Sequence, residues 1–107
     1  MIKNINIKGM TGPVIYCDTC GKRIEDASRA VVLAAEKIEE KQTSEVLYVH
    51  KGKCHDKAEA KIGSNGWQEL SRHLLQLVYN VGLSIEDLEA RKDTDVELGG
   101  AFFTKAR

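Results

Sequence analysis

Four side chains suited to metal binding fall in two short, widely separated segments: Cys17-Asp18-Thr19-Cys20 and His50-Lys51-Gly52-Lys53-Cys54. A CxxC step sets two thiolates at the spacing of adjacent corners of a tetrahedral zinc site, and His50 with Cys54 can supply the other corners. A fold in which all four meet has to bring together stretches of chain about thirty residues apart. No other constellation in the chain has so direct a chemical use. It bears more on how the molecule is held together than on what it does.

At 107 residues the chain has the size of one domain. Only two Phe, three Tyr and one Trp are available to fill a core, so a structural metal would help the less hydrophobic half most. Three cysteines is an odd number, which argues against a closed disulfide framework and for reduced thiols in a cytoplasmic protein. The segment from Met1 to Ile7 lacks the sustained apolar stretch of a secretory signal, and no run approaches the roughly 18 apolar residues of a membrane span. No membrane partner is expected. Sixteen basic and sixteen acidic residues cancel, leaving no general electrostatic pull toward nucleic acid.

Along the chain, residues 2–8 alternate imperfectly and read as an edge strand before a turn cluster from Gly9 to Pro13. Val14-Ile15-Tyr16 leads straight into the CxxC. Val46 to His50 is a stronger strand, rich in β-branched and aromatic residues. Cys54 to Ile62 has helical composition and closes in a Gly63–Gly66 loop. The segment 24–41 supports two readings. Ile24, Ala27, Val31, Ala34 and Ile38 recur at helical spacing. The alternative is a strand over Ala30–Ala35, a polar turn through Glu39–Ser44 and a hairpin with Val46–His50. Metal geometry favours the hairpin, and that reading is preferred here.

Further on, Trp67, Leu70, Leu74, Leu77, Val78 and Val81 share one face of a helix expected from about Gly66 to Asn80, with Gly82 placed to end it. Ser84-Ile85-Glu86-Asp87 resembles a capping box and starts a second short helix through Ala90 or Arg91, giving an αα-hairpin. Residues 93–107 show no periodicity and read as a tail with Phe102-Phe103 as its apolar anchor. The expected architecture is α+β: a zinc-binding β-rich module over 1–63, a helical hairpin over 64–92 packed on it through Trp67, Leu74 and Val78, and the tail.

The local chemistry around the cysteines agrees with a structural zinc, one per chain. Gly21 tolerates the positive φ of a knuckle turn, which points main-chain N–H groups at the thiolates. Those groups, with Lys22 or Arg23 nearby, offset the excess negative charge of a thiolate-rich site. Cys54 at a helix start gains from the helix dipole, which favours its thiolate. His55 competes with His50 for the fourth position. Adjacent residues rarely aim at one ion, and Lys51-Gly52-Lys53 can fold the chain back, so His50 is the better ligand. His73, beside Leu74, is expected to border the core.

Catalysis finds little support. A thioredoxin-like redox site is disfavoured because Gly21 interrupts the helix that would carry the reactive cysteine. The one proline, Pro13, also lies upstream of the cysteines rather than downstream. No nucleotide-binding loop or hydrolase nucleophile motif occurs. Four protein ligands leave a zinc no open position for a substrate. The chain is read as a non-enzyme.

The stretches CDTCGKRIED and VLYVHKGKCH resemble treble-clef and zinc-ribbon modules of the broad LIM-like kind. They also resemble small uncharacterised bacterial proteins with CxxCGK and HKGxC elements. The likeness spans about residues 14–62 and implies a small treble-clef-like finger of knuckle, β-hairpin and short helix. By it, Cys17, Cys20, His50 and Cys54 are the ligands. LIM-type sites place their His and following Cys one residue closer than here. Such modules serve many partners, so the likeness informs fold more than function.

The expected role is a non-catalytic protein-interaction module, an adaptor or regulator, with a protein partner or a second copy of the chain bound through surplus apolar surface. The alternative is nucleic-acid binding through Lys51, Lys53, Lys57 and Lys61, joined by Lys22, Arg23 and Arg29. Against it stand the near-neutral balance, the lack of interleaved aromatics, and the ordinary reading of these lysines as solvated charges paired with Asp56 and Glu59.

Overall fold

The computed structural model describes residues 1–34, 39–63 and 66–90, and the expected tail over 93–107 lies outside them. Its most buried element is β4, Ala30–Ala34. Ala-Val-Val-Leu-Ala is apolar at five successive positions, the pattern of a strand covered on both faces rather than one. β5 (Val46–His50) pairs antiparallel along one edge of β4, with Ala30 opposite His50 and Ala34 opposite Val46. The preferred hairpin reading of this region therefore holds, with Ala35 and Ile38 outside the described residues. The helical spacing arises because an unbroken apolar run fits either period.

The other edge of β4 takes β6, Trp67–Glu69, with Val31 opposite Glu69 and Leu33 opposite Trp67. This corrects the expected helix start. Trp67, Gln68 and Glu69 are strand, and α2 begins at Leu70 and runs to Asn80. The physical reason is the backbone: the second edge of a buried strand leaves N–H and C=O groups that need partners. That demand outweighs three residues' worth of helical period.

Residues opposite each other in an antiparallel pair share a face. Tyr48, opposite Val32, meets His73 of α2 edge-on with ring centroids 5.9 Å apart. Trp67, opposite Leu33, meets His55 of α1 (Lys53–Ile62) at 5.5 Å. The two helices thus cover opposite faces of the sheet. Ala58 of α1 and Leu70 of α2 complete the buried core, with Cys54 and Leu74 packed against it. His73 borders the core as expected. The far end of α2 runs past the sheet: Leu77 and Val81, counted on the packing face by periodicity, are 42% and 65% exposed.

The N-terminal sheet has the order β1-β2-β3, formed by Ile2–Ile7, Met10–Tyr16 and Arg23–Ile24. Its first turn is only Lys8-Gly9, both at positive φ (51° and 86°), so most of the expected Gly9–Pro13 turn is strand. Tyr16 exchanges both backbone hydrogen bonds with Met1, at 2.7 and 2.8 Å. Alternation along the ladder then puts Pro13, opposite Asn4, at a pair that needs no N–H toward β1. β3 pairs only with Ile15 and Tyr16, so among the described residues no neighbouring strand needs the missing donor on the other side either.

After α2, Gly82 (φ 86°) turns the chain, and Leu83 N–H returns to the Val78 carbonyl at 3.0 Å. The capping box forms as the sequence indicates. Ser84 Oγ accepts from Asp87 N–H at 3.1 Å, and Asp87 Oδ2 accepts from Ser84 N–H at 3.2 Å, opening α3 (Ile85–Ala90). The described architecture is α+β, with two antiparallel sheets and three α-helices.

The burial of β4 makes a direct prediction. Leu33 is 0% exposed, so Leu33→Ala should cost about 2–5 kcal/mol in denaturant unfolding. Leu75→Ala, at a half-exposed helix position, should stay within roughly 0.5 kcal/mol of the parent.

Candidate metal centre

Three separate segments deliver the ligands. Cys17 directly follows β2, and its N–H bonds the Lys22 carbonyl at 2.8 Å, closing a tight loop back into β3. Gly21, at φ 75°, makes the turn, and its N–H reaches the Cys17 carbonyl at 3.0 Å. His50 is the last residue of β5. Lys51-Gly52 then reverses the chain, and Cys54 is the second residue of α1. Gly52 sits at φ 88°, ψ −127°, a conformation side chains with a Cβ resist. A Cβ there would meet nothing within 4 Å, so the need for glycine is conformational rather than steric.

These segments place one ligand atom each from Cys17, Cys20, His50 and Cys54 within 4.8 Å of one another. Cys20 Sγ and His50 Nδ1 are 3.5 Å apart. Ordinary zinc–sulfur and zinc–nitrogen lengths at a tetrahedral angle require about 3.6 Å for such a pair. All three cysteines are free. Cys17 is buried at 1% exposure, His50 and Cys54 are partly covered, and Cys20 faces solvent. The four residues singled out in the sequence are thus brought together.

His55 is not among them. Its Nε2 lies 2.8 Å from Glu59 Oε1 and its ring packs on Trp67. The side chain is engaged by Glu59, one turn along the helix, and by Trp67 of β6.

The electrostatics of the cluster are uneven. Burial alone would push the Cys17 thiol up, but backbone N–H groups of Cys20, His50 and Thr19 reach its sulfur and hold it down at about 6. The Cys20 N–H is 3.5 Å away. This is the expected knuckle chemistry, with His50's own backbone as an added donor. The expectation for Cys54 is corrected: its thiol is pushed up to about 11, by burial first and then by the sulfurs of Cys17 and Cys20. Burial, with the two neighbouring sulfurs, outweighs a helix N-terminus. Three sulfurs in so small a volume can all ionise together only with a cation between them. Arg23 lines a cleft of about 280 Å³ with His50, Glu25, Asp26 and Arg29, whereas Lys22 points to solvent.

Two polar residues matter here that the ligand pattern passes over. Asp18 donates its N–H to the Tyr48 carbonyl at 2.7 Å, and its Oδ2 accepts from Tyr48 N–H at 2.8 Å. Thr19 Oγ1 donates to the Cys54 carbonyl at 2.9 Å. Short polar side chains that bond to backbone are the only sequence signal for this.

The lysines are placed differently from expectation. Lys51 pairs with Glu69 at 2.9 Å, and Glu59 pairs with His55. Among the described residues Lys53, Lys57 and Lys61 have no acidic partner, and they recur every four residues along one face of α1. Lys57 and Lys61 line a cleft of about 240 Å³ between α1 and the knuckle, with Asp18, Thr19, Leu47 and Ala58. No described helix is long and apolar enough to cross a membrane. No protein-family model, characterised protein or solved structure matches the chain.

The depressed Cys17 value sets a pH window for the metal-free protein. The stabilisation it brings is fully present above the ordinary thiol value of 9 and is withdrawn as pH falls through about 6. Thiolate absorbance of metal-free protein should rise near pH 6, and Cys17→Ser should abolish that step. Gly52→Ala should cost about 1–3 kcal/mol in unfolding experiments through backbone strain alone.

Proposed function

We propose that the chain is a non-catalytic, zinc-stabilised module whose work is protein interaction. The observation that carries the zinc half is the convergence of three sulfurs and one imidazole nitrogen, drawn from three segments, into a volume 4.8 Å across. Soft thiolate donors with one imidazole in a four-point array favour zinc over harder cations. The ion would be structural, one per chain, since four protein ligands fill a tetrahedral shell. Knuckle, β-hairpin and short helix follow one another as in a treble-clef-like finger, and on this reading the metal closes the finger.

The interaction half rests on surface. Trp67, Leu75, Leu77, Tyr79, Val81, Ile85 and Leu88 are each at least 39% exposed, and all belong to β6, α2, α3 and the turn between the helices. So much exposed apolar side chain on less than a quarter of the chain supports a protein partner or a second copy. Nucleic acid has weaker support. The unpaired row Lys53, Lys57 and Lys61 favours it, but Lys51 is engaged by Glu69 and no exposed aromatic lies on α1.

Metal analysis of purified protein should return about one zinc per chain. Cys20→Ser should release the metal and lower thermal stability, while His55→Ala should leave metal content unchanged. Metal-free protein with undiminished stability would overturn the structural role. Binding to single- or double-stranded nucleic acid should be absent even at low salt, where phosphate contacts are strongest. Salt-sensitive binding lost in a Lys53/Lys57/Lys61 triple alanine variant would instead favour the lysine row.

A further inference from the structure

The candidate ligands sit on the knuckle, the end of β5 and the start of α1; the Lys51-Gly52 turn joins the last two, and no short covalent link ties the knuckle to either. Beyond the contacts that the candidate ligands make with one another, three hydrogen bonds tie the knuckle to the other two. Two run between Asp18 and the backbone of Tyr48, which lies two residues before His50. The third runs from the Thr19 hydroxyl to the carbonyl of Cys54, itself a ligand residue. We infer that Asp18 and Thr19, the two residues enclosed by the CxxC step, position the metal site without ligating it: Asp18 sets the knuckle against the strand that carries His50, and Thr19 sets it against the helix that carries Cys54.

The geometry gives each residue a distinct task. In the Val32–Tyr48 pair, the N–H and C=O of Tyr48 point away from β4 toward the outer edge of β5. Asp18 meets both, one with its side chain and one with its backbone, so the knuckle takes the place of a neighbouring strand there. That fixes the knuckle along the β5 axis at the level of His50. Thr19 acts across a different gap. Its bond spans 35 residues of sequence and ends on the first turn of α1, so it sets the height of Cys54 above the CxxC. Neither contact depends on a metal. Each contact would therefore help order its two segments, and the ion would not bear the whole cost of bringing them together.

Hydrogen bonds that orient ligands in this way are typically worth roughly 10–100-fold in metal affinity. The inference rests on the metal-binding reading of the cluster, and its test separates the two. The probe is cobalt(II) alone, titrated into metal-free full-length protein and competed with a chromophoric chelator. The variants are Asp18→Asn, Asp18→Ala, Thr19→Ser and Thr19→Val. Asn keeps an oxygen to accept from Tyr48 while removing the charge, and Ser keeps the hydroxyl. Val keeps the shape of Thr without a donor.

Thr19→Val and Asp18→Ala should bind cobalt roughly 10–100-fold more weakly, with Thr19→Ser and Asp18→Asn close to wild type. The ligand-field spectrum at saturation should be the same in all, because no ligand is lost. Should Asp18→Ala fail to fold, the Thr19 pair decides. Thr19→Val binding as tightly as wild type would overturn the inference, as would Thr19→Ser weakened as much as Thr19→Val. Wild-type protein that takes up neither cobalt nor zinc overturns the metal reading itself, and no variant is needed to see it.

Discussion

The rest of the structure depends on β4 being satisfied on all four sides at once. Val31, Val32 and Leu33 put apolar side chains on both faces, and α1 and α2 must cover them. Both backbone edges need partners, and β5 and β6 supply them. Each of those partners brings something to the site or its surroundings. β5 ends in His50 and its outer edge receives Asp18. β6 carries Glu69, which takes up Lys51 beside the ligand turn. The candidate metal centre is thus an outlying consequence of how one five-residue strand is buried.

The same frame explains the charge of the cluster. Cys17 is inside, and in that position it stays ionised only because backbone N–H groups are aimed at it. Cys54 has no such provision, and burial, together with the sulfurs beside it, holds it protonated. The metal-free site is a compromise in which one thiol is ionised at neutral pH and another resists. A divalent cation resolves it, because it supplies the positive charge that both sulfurs face.

Much of this was legible in the sequence, and the omissions have physical causes. The four residues that meet could be read because CxxC and HxxxC are local patterns with a chemistry attached. The β4–β5 hairpin could be read from the metal geometry, though not from periodicity, since Ala30 to Ala34 is apolar throughout. Trp67 was misread because a three-residue strand is stabilised by the edge it pairs with, and that edge lies more than thirty residues away in sequence. Pro13 looked like a turn because its tolerance in a strand depends on which hydrogen bonds its neighbours need. Cys54 was misjudged because its titration is governed by two sulfurs distant in sequence. The bonds of Asp18 and Thr19 left no pattern, since short polar residues are common in turns of every kind.

Pro13 has one more effect. Beyond the end of β3, the outer edge of β2 pairs with no other strand among the described residues, and an edge of this kind is one on which other chains can pair. Proline has no N–H to offer at that position, and a strand laid alongside would find its ladder broken there. Proline thus breaks one edge of the hairpin at its own position, whereas β1, the other edge strand among the described residues, carries no proline.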